Sequence, residues 1–165
     1  MLDQPLPAGQ PPPAGQPPPA GQPLASQLAK AIRIAAAAHE GQYDKAGQPY
    51  VLHVLRVMFG CRSPEAQVAA ALHDVVEDTD WKLDDLRREA FSETVVEIVD
   101  ALTRREGEDY FDFARRAAAT PLGREVKRAD LLDNMDIRRI AHPTEKDWER
   151  LHRYRKALDM IDGQE

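Results

Sequence analysis

The chain has 165 residues, 42% of them hydrophobic and 30% charged, with a formal net charge of −6. That length holds one domain with a real core, and the acidic balance argues against general binding to nucleic acid or anionic membrane. A single cysteine, Cys61, excludes an internal disulfide and points to a reducing compartment. No apolar run approaches membrane-spanning length, and the N-terminus lacks the basic-then-apolar order of a signal peptide, so the expected location is cytoplasmic.

Residues 1–23 are a different kind of polymer from the rest. Pro-Ala-Gly-Gln recurs at residues 7, 13 and 19, and nine of the thirteen prolines fall here. A segment of Pro, Gly and Gln cannot build a core, so it is expected to be a disordered, low-complexity tail with polyproline-like character. The folded domain is expected to cover residues 24–165.

From Leu24 the pattern is helical almost throughout, and no period-two strand appears, which predicts an all-α bundle. A small-residue helix over 24–38 ends at the polar stretch Gly41 to Pro49. A second helix is expected from Tyr50 to Gly60. A third runs from Pro64 to Glu77, with Ser63 as candidate N-cap and Pro64 at the first helical position. Others are expected at 82–90, 93–105, 109–119, 121–137 and 144–162, with Ser92 and Thr144 as capping hydroxyls. Cys61, after Gly60 at the end of an apolar segment, reads as a half-buried structural thiol.

The most informative stretch is Leu72-His73-Asp74-Val75-Val76-Glu77-Asp78-Thr79-Asp80, which sets a histidine and several carboxylates into an apolar run. On an uninterrupted helix Glu77 stacks over His73 and Asp78 over Asp74. An imidazole beside a carboxylate is half a ligand set for a divalent metal, and the next turn offers carboxylates to orient or deprotonate a water. The competing reading is a solvated acidic helix end, although the helix macrodipole disfavours acids there.

His53 lies in an apolar helix, and taken alone it reads as a satisfied core histidine. Asp130, beside Lys127 and Arg128, reads alone as a surface acid. With His73 and Asp74 they make two imidazoles and two carboxylates on three helices, a set suited to octahedral coordination with positions left for water or substrate oxygens.

At this point the chain resembles the HD-domain metal-dependent phosphohydrolases. It is closest in pattern to the hydrolase domain of the RelA/SpoT alarmone enzymes and to the small stand-alone alarmone hydrolases related to metazoan SpoT homologues. His39-Glu40-Gly41-Gln42 with Lys45, Gly47, Pro49, Tyr50 and His53 resembles the family's H-x-G-Q-x-R-K-x-G-x-P-Y-x-x-H. Leu72 to Thr79 matches L-H-D-V-V-E-D-T residue for residue, and Ala129 to Met135 resembles A-D-R-L-H-N-M. Leu83 to Thr103 follows the next helix pair. The likeness runs from about residue 25 to 140.

The resemblance implies that His53, His73, Asp74 and Asp130 hold one divalent ion, usually manganese in this family. It implies that Glu77 and Asp78 position and activate the attacking water. It also makes Lys45 a phosphate contact and Asn134 a neighbour of the sugar and base. The implied reaction is removal of the 3′-pyrophosphate of (p)ppGpp, a small phosphorylated nucleotide, with neither nucleic acid nor membrane as partner.

Four departures bear on specificity. The family's base-stacking arginine before Lys45 is Asp44, its L-H-N-M histidine is Asp133, the following arginine is Asp136, and the proline after His53 is Val54. Aspartate neither stacks as a guanidinium does nor attracts phosphate, so an Asp44→Arg change is expected to improve guanosine alarmone turnover. Arg104, Arg105, Arg138 and Arg139 are the candidates to replace the missing charge. Two further readings are carried: the same machinery acting on another nucleotide ((p)ppApp, NADPH or a nucleoside monophosphate), and a non-catalytic, metal-dependent nucleotide-binding module.

Overall fold

The computed structural model describes residues 23–163. The expected tail over 1–23 therefore lies outside the described residues, save Pro23, which precedes the first helix. The helices are α1 (Leu24–Ala38), α2 (Val51–Gly60), α3 (Pro64–Leu72), α4 (Val75–Asp78), α5 (Leu83–Arg88), α6 (Glu93–Leu102), α7 (Tyr110–Ala117), α8 (Pro121–Asn134) and α9 (Glu145–Ile161). A 3-10 turn, Ile137–Arg139, follows α8. Among the described residues there is no strand, only an isolated bridge between Tyr43 and Pro49.

Helix α3 is the axis of the bundle. Ala66, Val68, Ala69, Ala70, Ala71 and Leu72 are all buried, and a helix apolar all round belongs inside. It packs against α1, α2, α6 and α8. The alanines allow close approach, and Ala31 and Ala35 of α1 answer them from the other side. A smaller cluster, with Ala114, Leu131, Leu158 and Ile161, seats α9 against α7 and α8.

Two glycines set the spacing of α8. A Cβ on Gly60 would stand 3.0 Å from the Cβ of Ala129, so the end of α2 meets α8 closely next to Asp130. A Cβ on Gly123 would stand 2.3 Å from the Ala117 carbonyl oxygen, where α8 begins against the end of α7.

Helix ends follow the sequence in part. Ser92 caps α6 by accepting from the Val95 amide. Thr144 is bound through its amide and hydroxyl to Asp147, at 2.7 and 2.6 Å. Ser63 does not cap α3. Its hydroxyl donates to Glu125 at 2.6 Å, and Glu125 accepts the Arg62 and Ser63 amides. Cys61 is buried rather than half-buried, and burial pushes its thiol up to about 12.

The main correction concerns residues 64–77, which are not one helix. α3 stops at Leu72, and α4 starts at Val75. His73 Nδ1 lies 2.8 Å from the Ala70 carbonyl oxygen, the acceptor that an unbroken helix offers to the amide of Asp74. A side chain that takes this carbonyl competes with the backbone ladder, and Asp74 sits at φ −101°, ψ −5°. The break changes how Glu77 and Asp78 face the site.

Candidate metal centre

Three elements bring the ligand set together. α2 supplies His53, the joint between α3 and α4 supplies His73 and Asp74, and α8 supplies Asp130. His53, His73 and Asp130 are all buried, and one donor atom from each lies within 4.8 Å of the other two. Asp74 completes the group: its Oδ2 is 2.9 Å from His73 Nε2 and 3.6 Å from His53 Nε2. Asp130 Oδ1 lies 3.6 Å from His53 Nε2 and 3.9 Å from His73 Nε2.

Each imidazole is oriented by what its other nitrogen touches. The Ala70 carbonyl can only accept, so His73 donates from Nδ1 and turns Nε2 inward. His53 Nδ1 lies 2.7 Å from Asp133 Oδ2, which fixes the same arrangement. His73 Nε2 is buried and has no hydrogen-bond partner, because its 2.9 Å approach to Asp74 lacks hydrogen-bond alignment. An orphaned buried nitrogen aimed at two carboxylates and a second imidazole fits a divalent cation. Donor atoms around such an ion at about 2.1 Å stand roughly 3 Å apart in cis and 4 Å in trans, close to the spacings seen.

The carboxylates are held from behind. Tyr50 donates its hydroxyl to Asp74 Oδ2 at 2.6 Å. Lys127 Nζ is 2.8 Å from Asp130 Oδ2, and Asn134 Nδ2 donates to Asp130 Oδ1 at 2.6 Å. Burial works to raise both acids, but His73 and His53 hold Asp74 well below the usual carboxylate range, and Lys127 with the histidines holds Asp130 below it. Burial works to lower His53, yet the Asp133 hydrogen bond together with Asp74 and Asp130 holds it up at about 10. His73 is raised for the same reason, with Asp74 and Asp130 outweighing burial. A centre that gathers protons so strongly is short of positive charge.

Beside the centre lies a cavity of about 260 Å³ whose lining includes Lys45, Tyr50, His53, Asp78, Asn134 and Arg139. α9 closes its far wall with Arg150 and Tyr154, and Tyr43 stands at its edge. Glu77 and Asp78, consecutive residues at the end of α4, face different surroundings. Asp78 lines the cavity, and desolvation together with nearby Asp74 raises its pKa. Glu77 is raised by desolvation too, but its Oε2 accepts the Arg104 amide at 2.7 Å. Lys45 is exposed at the cavity rim, and Asn134 touches both the cavity and Asp130.

Asp44 is where the structure departs most from the reading of the sequence. Its Oδ1 accepts the Ala46 and Gln48 amides, both at 2.9 Å, and organises the loop before α2. Its Oδ2 lies 2.7 Å from Arg139 Nη1 and 3.6 Å from Arg56 Nη2. Of the four arginines the sequence offered, Arg139 is the one that Asp44 holds. Sequence reasoning passed over Tyr50, Lys127 and Asp133. The motif containing Tyr50 was visible, but no pattern showed its hydroxyl reaching Asp74. His39 is buried, with Nδ1 2.8 Å from Gln42 Oε1, and Gln42 Nε2 donates to the Asp78 carbonyl at 3.3 Å.

Comparison with known proteins gives the family. Residues 31–156 match the HD domain family. A solved structure described as a metazoan ortholog of SpoT that hydrolyzes ppGpp superposes with a TM-score of 0.68 and 26% identity, covering 82% of this chain and 85% of that one. The GTP pyrophosphokinase of Streptomyces coelicolor is 34% identical over 122 residues, which cover 66% of this chain and 14% of the relative. The guanosine-3′,5′-bis(diphosphate) 3′-pyrophosphohydrolase of Aquifex aeolicus is 30% identical over 123 residues, 67% of this chain and 18% of the relative. The enzyme of that name from Haemophilus influenzae is 41% identical over 75 residues, 43% of this chain and 11% of the relative. The chain thus spans less than a fifth of the length of these curated relatives. With most of its length inside the matched range, the chain belongs to the HD domain family.

Proposed function

We propose that this chain is a metal-dependent phosphohydrolase that removes the 3′-pyrophosphate of a (p)ppGpp-type alarmone. The observation that carries the reading is the convergence of His53, His73, Asp74 and Asp130, with both Nε2 atoms turned inward, on the edge of a cavity that offers Lys45, Arg139 and Arg150. Relatives named for ppGpp hydrolysis support the substrate class. His53, His73, Asp74 and Asp130 would hold a divalent ion, manganese by family resemblance, which would supply Lewis acidity.

The chain's own groups do the rest. Asp78, raised in pKa and lining the cavity, is placed to take a proton from the attacking water, since a base works best with a pKa closer to the working pH. Glu77 supports it from the Arg104 side of the joint. Tyr50 keeps Asp74 turned toward the ion, and Lys45 with Arg139 receives phosphate charge. No described helix is long and apolar enough to cross a membrane, and a buried free thiol at Cys61 suits the reducing cytoplasm.

A second reading, hydrolysis of a nucleotide with another base, is favoured by one observation. Arg139 and the rings of Tyr43 and Tyr154 line the cavity together. Aromatic faces stack on any base. A non-catalytic binding module has little use for an Asp78 held unusually basic beside the ligand set. A manganese-supplemented panel of (p)ppGpp, (p)ppApp, NADPH and nucleoside monophosphates, read by released phosphate and pyrophosphate, tests all three. Pyrophosphate release from guanosine alarmones supports the first reading, faster turnover of another nucleotide selects the second, and binding without turnover of any selects the third.

A further inference from the structure

The two inward-facing histidines are held in different ways. His73 leans on a main-chain oxygen, that of Ala70, which no side-chain change can remove. His53 leans on a side chain, Asp133, one turn beyond Asp130 on the same helix.

We propose that Asp133 is a positioning residue, fixing the ring orientation and tautomer of His53 so that Nε2 is offered to the metal. The inference rests on the metal-centre reading above. Asp133 Oδ2 is 2.7 Å from His53 Nδ1, and an ionised carboxylate only accepts, so the Nδ1 position carries the hydrogen. The carboxylate is itself clamped. Arg56 Nε donates to Oδ1, while Arg139 Nη2 lies 3.2 Å from Oδ2 and donates to the Asp133 carbonyl at 2.7 Å. Both guanidinium groups favour the ionised carboxylate. A carboxylate behind a metal-facing imidazole also raises the basicity of the ligand nitrogen, and loss of such a partner typically costs ten- to a hundredfold in metal affinity. The α8 helix therefore supplies a ligand at 130 and the orienter of a ligand on α2 at 133.

The test uses the full chain stripped with chelator and titrated with Mn²⁺, with bound and free ion measured by magnetic resonance and heat of binding. Asp133→Asn is expected to weaken Mn²⁺ binding by roughly ten- to a hundredfold. Arg128→Gln removes an ion pair of α8 with Asp162 without touching His53 or Asp133, and is expected to lower melting temperature while leaving Mn²⁺ affinity within about threefold. In Zn²⁺-loaded protein, the proton on His53 Nδ1 should appear far downfield in wild type and move upfield in Asp133→Asn. Wild-type affinity in Asp133→Asn, or an equal loss in Arg128→Gln, overturns the proposal. Failure of the wild type to bind any divalent ion overturns the metal reading itself, a result distinct from either of these.

Discussion

Asp44 Oδ2 and Arg139 Nη1 lie 2.7 Å apart across 95 residues of chain, and this pair rewrites the specificity argument. Read from the sequence, Asp44 is a lost cation. In the fold it is a loop acceptor and an anchor for the cation that replaces it. The expected gain from Asp44→Arg is therefore withdrawn: the change removes the acceptor of two loop amides and sets three guanidinium groups together. It should lower stability by about 1–3 kcal/mol and bring no fall in KM. Arg139→Gln should raise KM roughly tenfold with kcat little changed, since a contact worth about 1–2 kcal/mol in ground and transition state alike is lost. Steady-state kinetics on the best nucleotide and thermal melts of the two variants decide the matter.

The separation of Asp78 from Glu77 gives a second prediction. Asp78→Asn keeps the shape of a residue lining the cavity but removes its basicity. Turnover should fall roughly a hundredfold or more with Mn²⁺ content near that of wild type. Glu77→Gln retains an acceptor for the Arg104 amide and should cost less. Equal losses in the two variants, or none in Asp78→Asn, would show that the proton leaves by another route.

How much of this was legible before the fold is clearest from single residues. The meeting of His53, His73, Asp74 and Asp130 was readable because two imidazoles and two carboxylates in apolar helices need a reason to be there. The all-α bundle was readable from periodicity. Lys127 was misread: a lysine three residues before Asp130 suggested a solvated face, whereas both are buried and bound to each other at 2.8 Å. The break after Leu72 left no trace in periodicity, since neither Gly nor Pro marks it, and it is His73's own ring that takes the Ala70 carbonyl. Asp133 and Arg139 act across long sequence separations, which local patterns do not encode.

Close packing predicts the effect of two small substitutions. Gly123→Ala drives a Cβ to 2.3 Å from a backbone oxygen that cannot rotate away, and should destabilise by roughly 1–3 kcal/mol. Gly60→Ala meets only a methyl at 3.0 Å, so α2 and α8 must part by a few tenths of an ångström. Its stability cost should be the smaller one, but Mn²⁺ affinity should fall, because the shift separates His53 from Asp130. Denaturant melts in chelator and metal titrations of both variants measure the two effects separately. A Gly60→Ala protein with unaltered metal affinity would show that the helix spacing tolerates the change.

The metal centre should make stability depend on pH in opposite senses with and without the ion. In the chelated protein His53 is held at about 10, against about 6.5 in an unfolded chain, because its three carboxylate neighbours outweigh burial. A group raised in this way contributes stability that is fully present below about pH 6.5 and is lost as pH rises toward 10. Asp133, held at about 2, contributes above its unfolded value near 4 and loses that contribution as pH falls through 2. Chelated protein should therefore melt highest between roughly pH 4 and 6.5 and lower at pH 9. Metal binding must displace protons from the histidines, so affinity rises with pH, and saturating ion stabilises the folded state by mass action. The gap between melts in Mn²⁺ and in chelator should widen from pH 6 to pH 9. His53→Gln should flatten the chelated curve over that range and shrink the gap, while His73→Ala and Asp74→Ala should lose bound ion altogether. Parallel curves with a constant gap would mean that the ion does not compete with protons for these imidazoles, and that the ligand set lies elsewhere.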